Sequence, residues 1–277
     1  MVFFPPFTCT FTFTVLSPVD LPPGLGNNAG QEERQCQCEC QCQEKNNYPF
    51  LAHTHTDTHT FLDGAMTRIY LVRHGTTEWN REEIFRGRVD CPLDETGRAE
   101  ARAVAAYFHD LPIQGVYTSP LARAAQTAET IAEGREIRVL PDAAFIDLDF
   151  GEWQGHPLKE VRDKYPDLYR AWRERPQEVT FPGGENLGRV RARAEEGLLR
   201  VARENPERTV VIVSHRVITK ILICAALGLD NSHFWQIKQN TTAINCLEFA
   251  GGNFIVSLLN DTCHLKSIHP SGGRRDF

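Results

Sequence analysis

Three apolar runs in this sequence end in residues better suited to chemistry than to packing. Arg73 and His74 follow "IYLV", Ser214 and His215 follow "VVIV", and "GVYT" leads into the stretch from Ser119 to Arg123. In an open α/β sheet the carboxyl ends of the strands form the ligand crevice. Three such ends can therefore meet in one pocket that collects two histidines and two arginines. The helices that follow each run would point their N-termini, with free N–H groups and the positive end of the dipole, at the same crevice. A pocket of that kind suits a phosphate group. A single histidine at a strand end is commonly a hydrogen-bonded structural residue, and Gly75 beside His74 can be only a tight-turn residue. Two histidines together with Arg123 in a first helical turn weaken that plain reading, because cores rarely gather cations.

The elements needed to position these residues are legible from Met66 onward. "RIYLV" reads as a strand and "TGRAEARAVAAYFHDL" as a helix capped by Thr96. "GVYTS" is a short strand before the helix "PLARAAQTAETIAEG", with Ser119 as cap, Pro120 at the first position and Gly134 at the end. "EIRVL" is a further strand candidate. "HPLKEVRDKYPDLYRAWRERP" reads as helix with a proline interruption, and "NLGRVRARAEEGLLRVAREN" as a long amphipathic helix. "TVVIVSH" has the continuous apolar character of a strand covered on both faces, and "RVITKILICAALGL" is its following helix. "AINCLEFAGGNFIVSLLN" closes as a hairpin turning at Gly251 and Gly252. The alternation predicts a three-layer α/β/α sandwich with a mostly parallel central sheet.

Composition narrows the classes of function. The 277 residues are 41% hydrophobic and 24% charged, as in an ordinary globular chain. No run approaches the roughly 18 apolar residues of a spanning helix, and the start lacks the early positive charge and cleavage site of a signal peptide. A formal net charge of -6 argues against a general binder of nucleic acid or anionic membrane. The nine cysteines include four in "CQCECQCQ" and otherwise form no paired framework, which fits reduced thiols and a cytoplasmic location.

Residues 1–65 are rich in Pro, Thr, Gln and Asn and show no sustained period, so they are expected to be disordered. "CQCECQCQ" and "HTHTDTHT", with His53, His55 and His59, are candidate soft-metal tracts, but their alternate-residue spacing is not that of zinc sites. A CA dinucleotide repeat in the DNA also reads as His-Thr-His-Thr. The segment is expected to be an over-extended gene start or a dispensable tail, with Met66 as the functional start. Residues 66–262 form the expected domain and 263–277 a C-terminal tail.

"LVRHGTTEWN", "RGRVDCPLDETGRAEA", "TSPLARAAQTAE", "DLDFGEWQG", "PGGENL" and "VIVSHR", in that order between about residues 66 and 260, resemble the histidine phosphatase superfamily. The resemblance is to the branch containing cofactor-dependent phosphoglycerate mutases and small-molecule phosphatases, α-ribazole phosphatases among them. It implies a phosphoglycerate mutase-like fold, with His74 as nucleophile and a phosphohistidine intermediate. It places Arg73, Arg123 and His215 around the phosphate, and implies neither metal nor other cofactor. In much of the branch a glutamate serves as the acid. This chain carries Asp147 there, with Asp149 and Glu152 as neighbours that a shift in alignment would promote. Thr77, Asn80 and Glu185 match positions near the phosphate, Asn80 being the expected direct contact.

Arg216 stands where the family commonly has glycine, and Arg86 and Arg88 lie in a loop that by resemblance borders the pocket. These cations can read a second anionic group or be surface charge. Trp153 and Trp172 are expected to pack a cap region. Mutases of the branch carry a longer insert with an arginine pair, whereas here only a compact helical segment with Arg173 and Arg175 separates "DFGEWQG" from "PGGENL". The expected activity is hydrolysis of a small phosphorylated metabolite. A bisphosphoglycerate-dependent mutase and a non-catalytic phosphate-binding module are the alternatives, and a homodimer is the default assembly.

Overall fold

The computed structural model describes residues 66–269. The expectations for residues 1–65 (disorder, metal-binding tracts, a functional start at Met66) lie outside the described residues, as does the chain from residue 270. The order opens with strand β1 (Thr67–Arg73), the single-turn helix α1 (Glu78–Arg81), α2 (Glu95–Tyr107), β2 (Ile113–Thr118) and α3 (Ala122–Ala132). It continues through β3 (Val139–Pro141), α4 (Leu158–Lys164), α5 (Pro166–Glu174), α6 (Leu187–Glu204), β4 (Thr209–Ser214) and α7 (Arg216–Ala226). It closes with β5 (Ile244–Ala250) and β6 (Asn253–Asp261). The sheet order is β3-β2-β4-β1-β5-β6. The strands β1 to β4 are parallel, and the β5–β6 hairpin is antiparallel along one side.

Alternation along the strands divides the apolar residues between two layers. Ile69, Leu71, Val210 and Ile212 face a core built with Leu198 and Val201 of α6 and Ile218, Ile221 and Leu222 of α7. Tyr70, Val72, Val211 and Val213 face the opposite core, with Val104 of α2 and Ala124, Ala128 and Ile131 of α3. β4 is thus covered on both faces, as its unbroken apolar run requires. This is the three-layer α/β/α sandwich expected from the sequence. Trp153 and Trp172 are fully buried in the first core, beside Phe85, Phe150, Phe181 and Phe234.

Helix ends differ from the sequence expectation for local reasons. Asp94, not Thr96, caps α2, its side chain accepting from the Gly97 N–H at 2.7 Å. An aspartate one residue before the helix is as good an acceptor as a threonine and needs no distortion. Helix α3 starts at Ala122 with Leu121 in the cap position; Pro120 stays outside, and the Ala122 N–H is taken by Asp90 Oδ1 at 2.8 Å. Of "EIRVL" only the stretch from Val139 pairs, beside Val116–Thr118 of β2. Among the described residues no helix is long and apolar enough to cross a membrane.

Candidate active site

Register decides which residues meet. Arg73, the last residue of β1, lies opposite Ser214, the last of β4, and Thr118 of β2 lies opposite Val213. His74, His215 and Ser119 therefore leave the sheet side by side. The two imidazole centroids are 5.2 Å apart, and each histidine is buried at 1% exposure or less.

His74 is fixed mainly by backbone. Its N–H donates to the Ser214 carbonyl at 2.9 Å, and its ring Nδ1 lies 2.7 Å from the carbonyl oxygen of Gly75. A carbonyl only accepts, so Nδ1 carries the hydrogen, and Nε2 is left with its lone pair toward the pocket. The Gly75 N–H donates to Thr127 Oγ1 at 3.1 Å. Gly75 and Gly97 of α2 press together: a Cβ on Gly97 would stand 2.0 Å from the Thr76 carbonyl oxygen, and one on Gly75 would stand 2.6 Å from that of Gly97. Glycine is required at both positions by this approach of two backbones, a constraint beyond the tight turn expected at Gly75.

Arg73 donates from Nη1 to the Gln239 carbonyl at 2.6 Å. Arg123, in the first turn of α3 and wholly buried, donates to the carbonyls of Gly87 at 2.7 Å and Val89 at 3.0 Å. The same Nη2 reaches Asp147 Oδ2 at 3.3 Å. Asp147 is 6% exposed, and its other oxygen accepts from the Leu148 N–H at 2.9 Å. Arg193 of α6 holds this segment by donating to the carbonyls of Ala144, Ile146 and Asp147. His215 is the N-cap residue of α7, with Nε2 2.7 Å from Ser119 Oγ and Nδ1 3.7 Å from Asp147 Oδ2. Ser119 Oγ accepts the Leu121 N–H at 3.3 Å, and its rotatable hydroxyl can at the same time donate to His215 Nε2. With that donation Nδ1 of His215 keeps its proton, and among the described residues this buried nitrogen has no hydrogen-bond partner.

Electrostatics match this hydrogen bonding. Burial, then Arg123, Arg73 and Arg86, hold His74 well below the ordinary imidazole value, against an opposing contribution from the Gly75 carbonyl. His215 is held well below it by burial and by Arg123, His74, Arg86 and Arg73. Arg86 is pushed downward by burial, Arg73, Arg123 and Arg216, with Asp147 opposing. A guanidinium keeps its proton in proteins, so for Arg86 the downward push measures how densely positive charge is gathered here. The pocket holds neutral imidazoles among arginines and is ready for an anion. Among the described residues no three His, Cys, Asp or Glu side chains are grouped to hold a metal ion.

The remaining expected site residues divide. Arg86 and Arg216 are both buried and close enough to repel each other, and Arg216 lies 5.8 Å from the centre of the Trp235 ring. Arg88 instead pairs with Glu185 at 3.0 Å and lies 3.8 Å from Asp149, so these three form a buttress beneath the Asp147 segment. Asn80 turns its amide oxygen back onto the N–H and hydroxyl of Thr77, capping α1. Asp149 accepts from the Gly151 N–H, and Glu152 accepts from the Tyr165 hydroxyl at 2.6 Å. Glu100, Thr127, Arg193 and Gln239 were missed as supports, since a buried polar residue inside a helix or loop leaves no periodic signal.

Comparison with known proteins agrees with this arrangement. Residues 69–262 match the family model of the histidine phosphatase superfamily, branch 1. The chain is 36% identical over 204 residues to phosphoserine phosphatase 1 of Hydrogenobacter thermophilus, covering 74% of this chain and 97% of that one. Bacillus stearothermophilus YhfR superposes with a TM-score of 0.70 at 31% identity, over 72% of this chain and 99% of its own. A mutant phosphoserine phosphatase from Entamoeba histolytica in complex with phosphoserine gives 0.65 at 26% identity, over 72% and 99%. The chain belongs to branch 1 of the histidine phosphatase superfamily and is an enzyme of the phosphatase class.

Proposed function

We propose that the chain hydrolyses a small phosphomonoester that also bears a carboxylate, of the phosphoserine kind, through a phosphohistidine on His74. One observation carries the reading: a buried imidazole, locked through Nδ1 and open at Nε2, lies among Arg73, Arg123 and His215, with the carboxyl group of Asp147 alongside. The Nε2 lone pair attacks phosphorus as the ester P–O bond breaks, and the leaving oxygen takes a proton from Asp147. Water then attacks in line and gives its proton to Asp147, the P–N bond breaks, and the imidazole returns neutral. Arg73, Arg123 and His215 hold the equatorial oxygens, where positioning and charge supply most of the acceleration.

Similarity to proteins named for phosphoserine supports the carboxylate, and Arg86 with Arg216 is the pair suited to it. Arg173 and Arg175, in the compact segment that lacks the longer mutase insert, are engaged elsewhere: Arg173 lies over the Trp235 ring at 4.1 Å, and Arg175 pairs with Glu178 at 3.0 Å. That favours hydrolysis.

The test is release of inorganic phosphate, in EDTA, from phosphoserine, 3-phosphoglycerate and glycerol 3-phosphate by the full chain and its His74→Ala variant. The expected result is metal-independent turnover that favours the two carboxylates by tenfold or more and falls by on the order of 10⁴ in the variant. Undiminished turnover in His74→Ala would refute the phosphohistidine route. Conversion of 3-phosphoglycerate to its 2-isomer in the presence of the bisphosphate, without phosphate release, would instead establish a mutase.

A further inference from the structure

Glu100 lies inside α2, and its carboxylate is completely buried. Such a charge persists only where hydrogen bonds replace water. Four donors reach it: the Thr76 N–H at 2.8 Å on Oε2, and the Thr76 hydroxyl at 3.0 Å, the Thr241 hydroxyl at 3.2 Å and His269 Nε2 at 2.8 Å on Oε1. An ionised carboxylate offers about four acceptor sites, so this geometry suits the charged form.

The first of these donors has a particular place. The Thr76 N–H belongs to the same peptide unit as the Gly75 carbonyl, and that carbonyl holds His74 Nδ1 at 2.7 Å. One peptide plane thus connects the carboxylate of Glu100 to the ring of His74. Hydrogen bonds in series polarise one another. A negative charge at the N–H end of the peptide increases the negative charge on its carbonyl oxygen, which in turn strengthens the bond from Nδ1–H. The plane is also locked in position, since Gly97, one helical turn before Glu100, packs against the Thr76 nitrogen, which belongs to it, as well as against the Thr76 carbonyl that follows.

We propose that Glu100 is a positioning residue for the nucleophile, holding and polarising the Gly75–Thr76 peptide behind His74, and that His269 of the C-terminal segment completes its hydrogen-bond set. The proposal rests on His74 being the nucleophile. No proton moves to Glu100. The P–N bond forms at Nε2 as the ester bond breaks, while the hydrogen stays on Nδ1. Stronger donation from Nδ1–H makes the ring more basic, which favours making the P–N bond and opposes breaking it.

Glu100→Gln keeps the volume and removes the charge. The two chemical steps are then expected to move in opposite directions: phosphorylation of His74 slows by roughly tenfold, the scale of outer-shell effects on histidines elsewhere, and hydrolysis of the phosphohistidine quickens. Stopped-flow bursts with p-nitrophenyl phosphate read the first step, and decay of the acid-labile phosphoenzyme reads the second. A purely structural support would slow both together or neither, and either result overturns the proposal. A second measurement needs no turnover. The nuclear magnetic resonance of the His74 Nδ1–H in the full, unphosphorylated chain is expected to shift upfield in Glu100→Gln and, by less, in His269→Gln. An unmoved resonance in both refutes the relay even if the enzyme is active. Absence of phosphohistidine in the unaltered chain, with the resonance moving as expected, counts against the catalytic reading of His74 alone. If Glu100→Gln does not fold, His269→Gln carries both measurements, its side chain lying at the partly exposed end of the network.

Discussion

The ends of β1 and β4 deliver a histidine each to the same pocket but hold it by different means. At β1 the grip is backbone: His74 binds the Ser214 and Gly75 carbonyls, and the turn beneath it lies directly against Gly97. At β4 the grip on the ring is side chain: Ser119 fixes Nε2, and Asp147 stands off Nδ1 at 3.7 Å. A nucleophile must attack along one line, and backbone is the stiffest material available to set it. A donor to a phosphate oxygen has to adjust as the phosphoryl group moves through its transition state, and a hydroxyl contact permits that. Changes near β1 should therefore harm fold and chemistry together, and changes near β4 should harm chemistry alone.

Among changes outside the two histidines, the largest effect on this contrast is expected from Gly97→Ala. Its Cβ would meet the oxygen, nitrogen and carbon of Thr76 at 2.0, 2.8 and 2.9 Å, all backbone atoms that cannot rotate away. Overpacking of this kind costs about 1–3 kcal/mol, and a displacement near 1 Å at a reacting atom can cost about 10²-fold in rate. Urea unfolding and kcat measured on the same preparation should fall together. Retention of either one at the unaltered value would show that the turn yields more easily than its contacts imply.

Ser119→Ala tests the other side. Without the hydroxyl, His215 Nε2 loses the donor that keeps the proton on Nδ1, and the ring can adopt the tautomer that presents a bare nitrogen to the phosphate. A loss of roughly tenfold in kcat with unfolding unchanged is expected, smaller than the 10²–10³-fold typical for deleting a donor outright. A destabilised Ser119→Ala protein would erase the contrast between the two ends.

What the sequence disclosed and what it hid follow the same division. Strand ends with unusual side chains, such as Arg73-His74 and Ser214-His215, show in one dimension because they interrupt an apolar run, and the parallel sheet follows from the alternation of strand and helix patterns. Asp147 was preferred through resemblance rather than spacing, as nothing in "FIDLDFGEWQG" separates it physically from Asp149. The structure separates them by partners: Arg123 and His215 lie near Asp147, whereas Arg88 and a turn N–H lie near Asp149. Glu100 and Gly97 were hidden because their roles depend on long-range contact with Thr76. For Arg88 the sequence left open a second anionic group or surface charge, and it placed Glu185 near the phosphate; a pair of opposite charges at 3.0 Å satisfies itself, and only coordinates reveal the pairing.

The smallest effect expected concerns stability and pH, and it also compares the two histidines. Both are held below their unfolded value, so the folded chain binds fewer protons than the unfolded chain over the range between the two. Stability contributed in this way is present above the unfolded pKa of about 6.5 and is lost as pH falls below it, by about 1.4 kcal/mol per pH unit for each histidine. The Gly75 carbonyl partly opposes the shift at His74, and no such carbonyl opposes it at His215, where Ser119 supplies the hydrogen. Urea unfolding at pH 7.0, 6.0 and 5.0 should show stability falling toward acid, with the slope reduced by His74→Gln and reduced at least as much by His215→Gln. If His74→Gln flattened the profile and His215→Gln left it unchanged, the side-chain grip at β4 would be loose enough for His215 to take up its proton in the folded chain. The donor to the phosphate would then be an imidazolium, and the tautomer set by Ser119 would cease to matter.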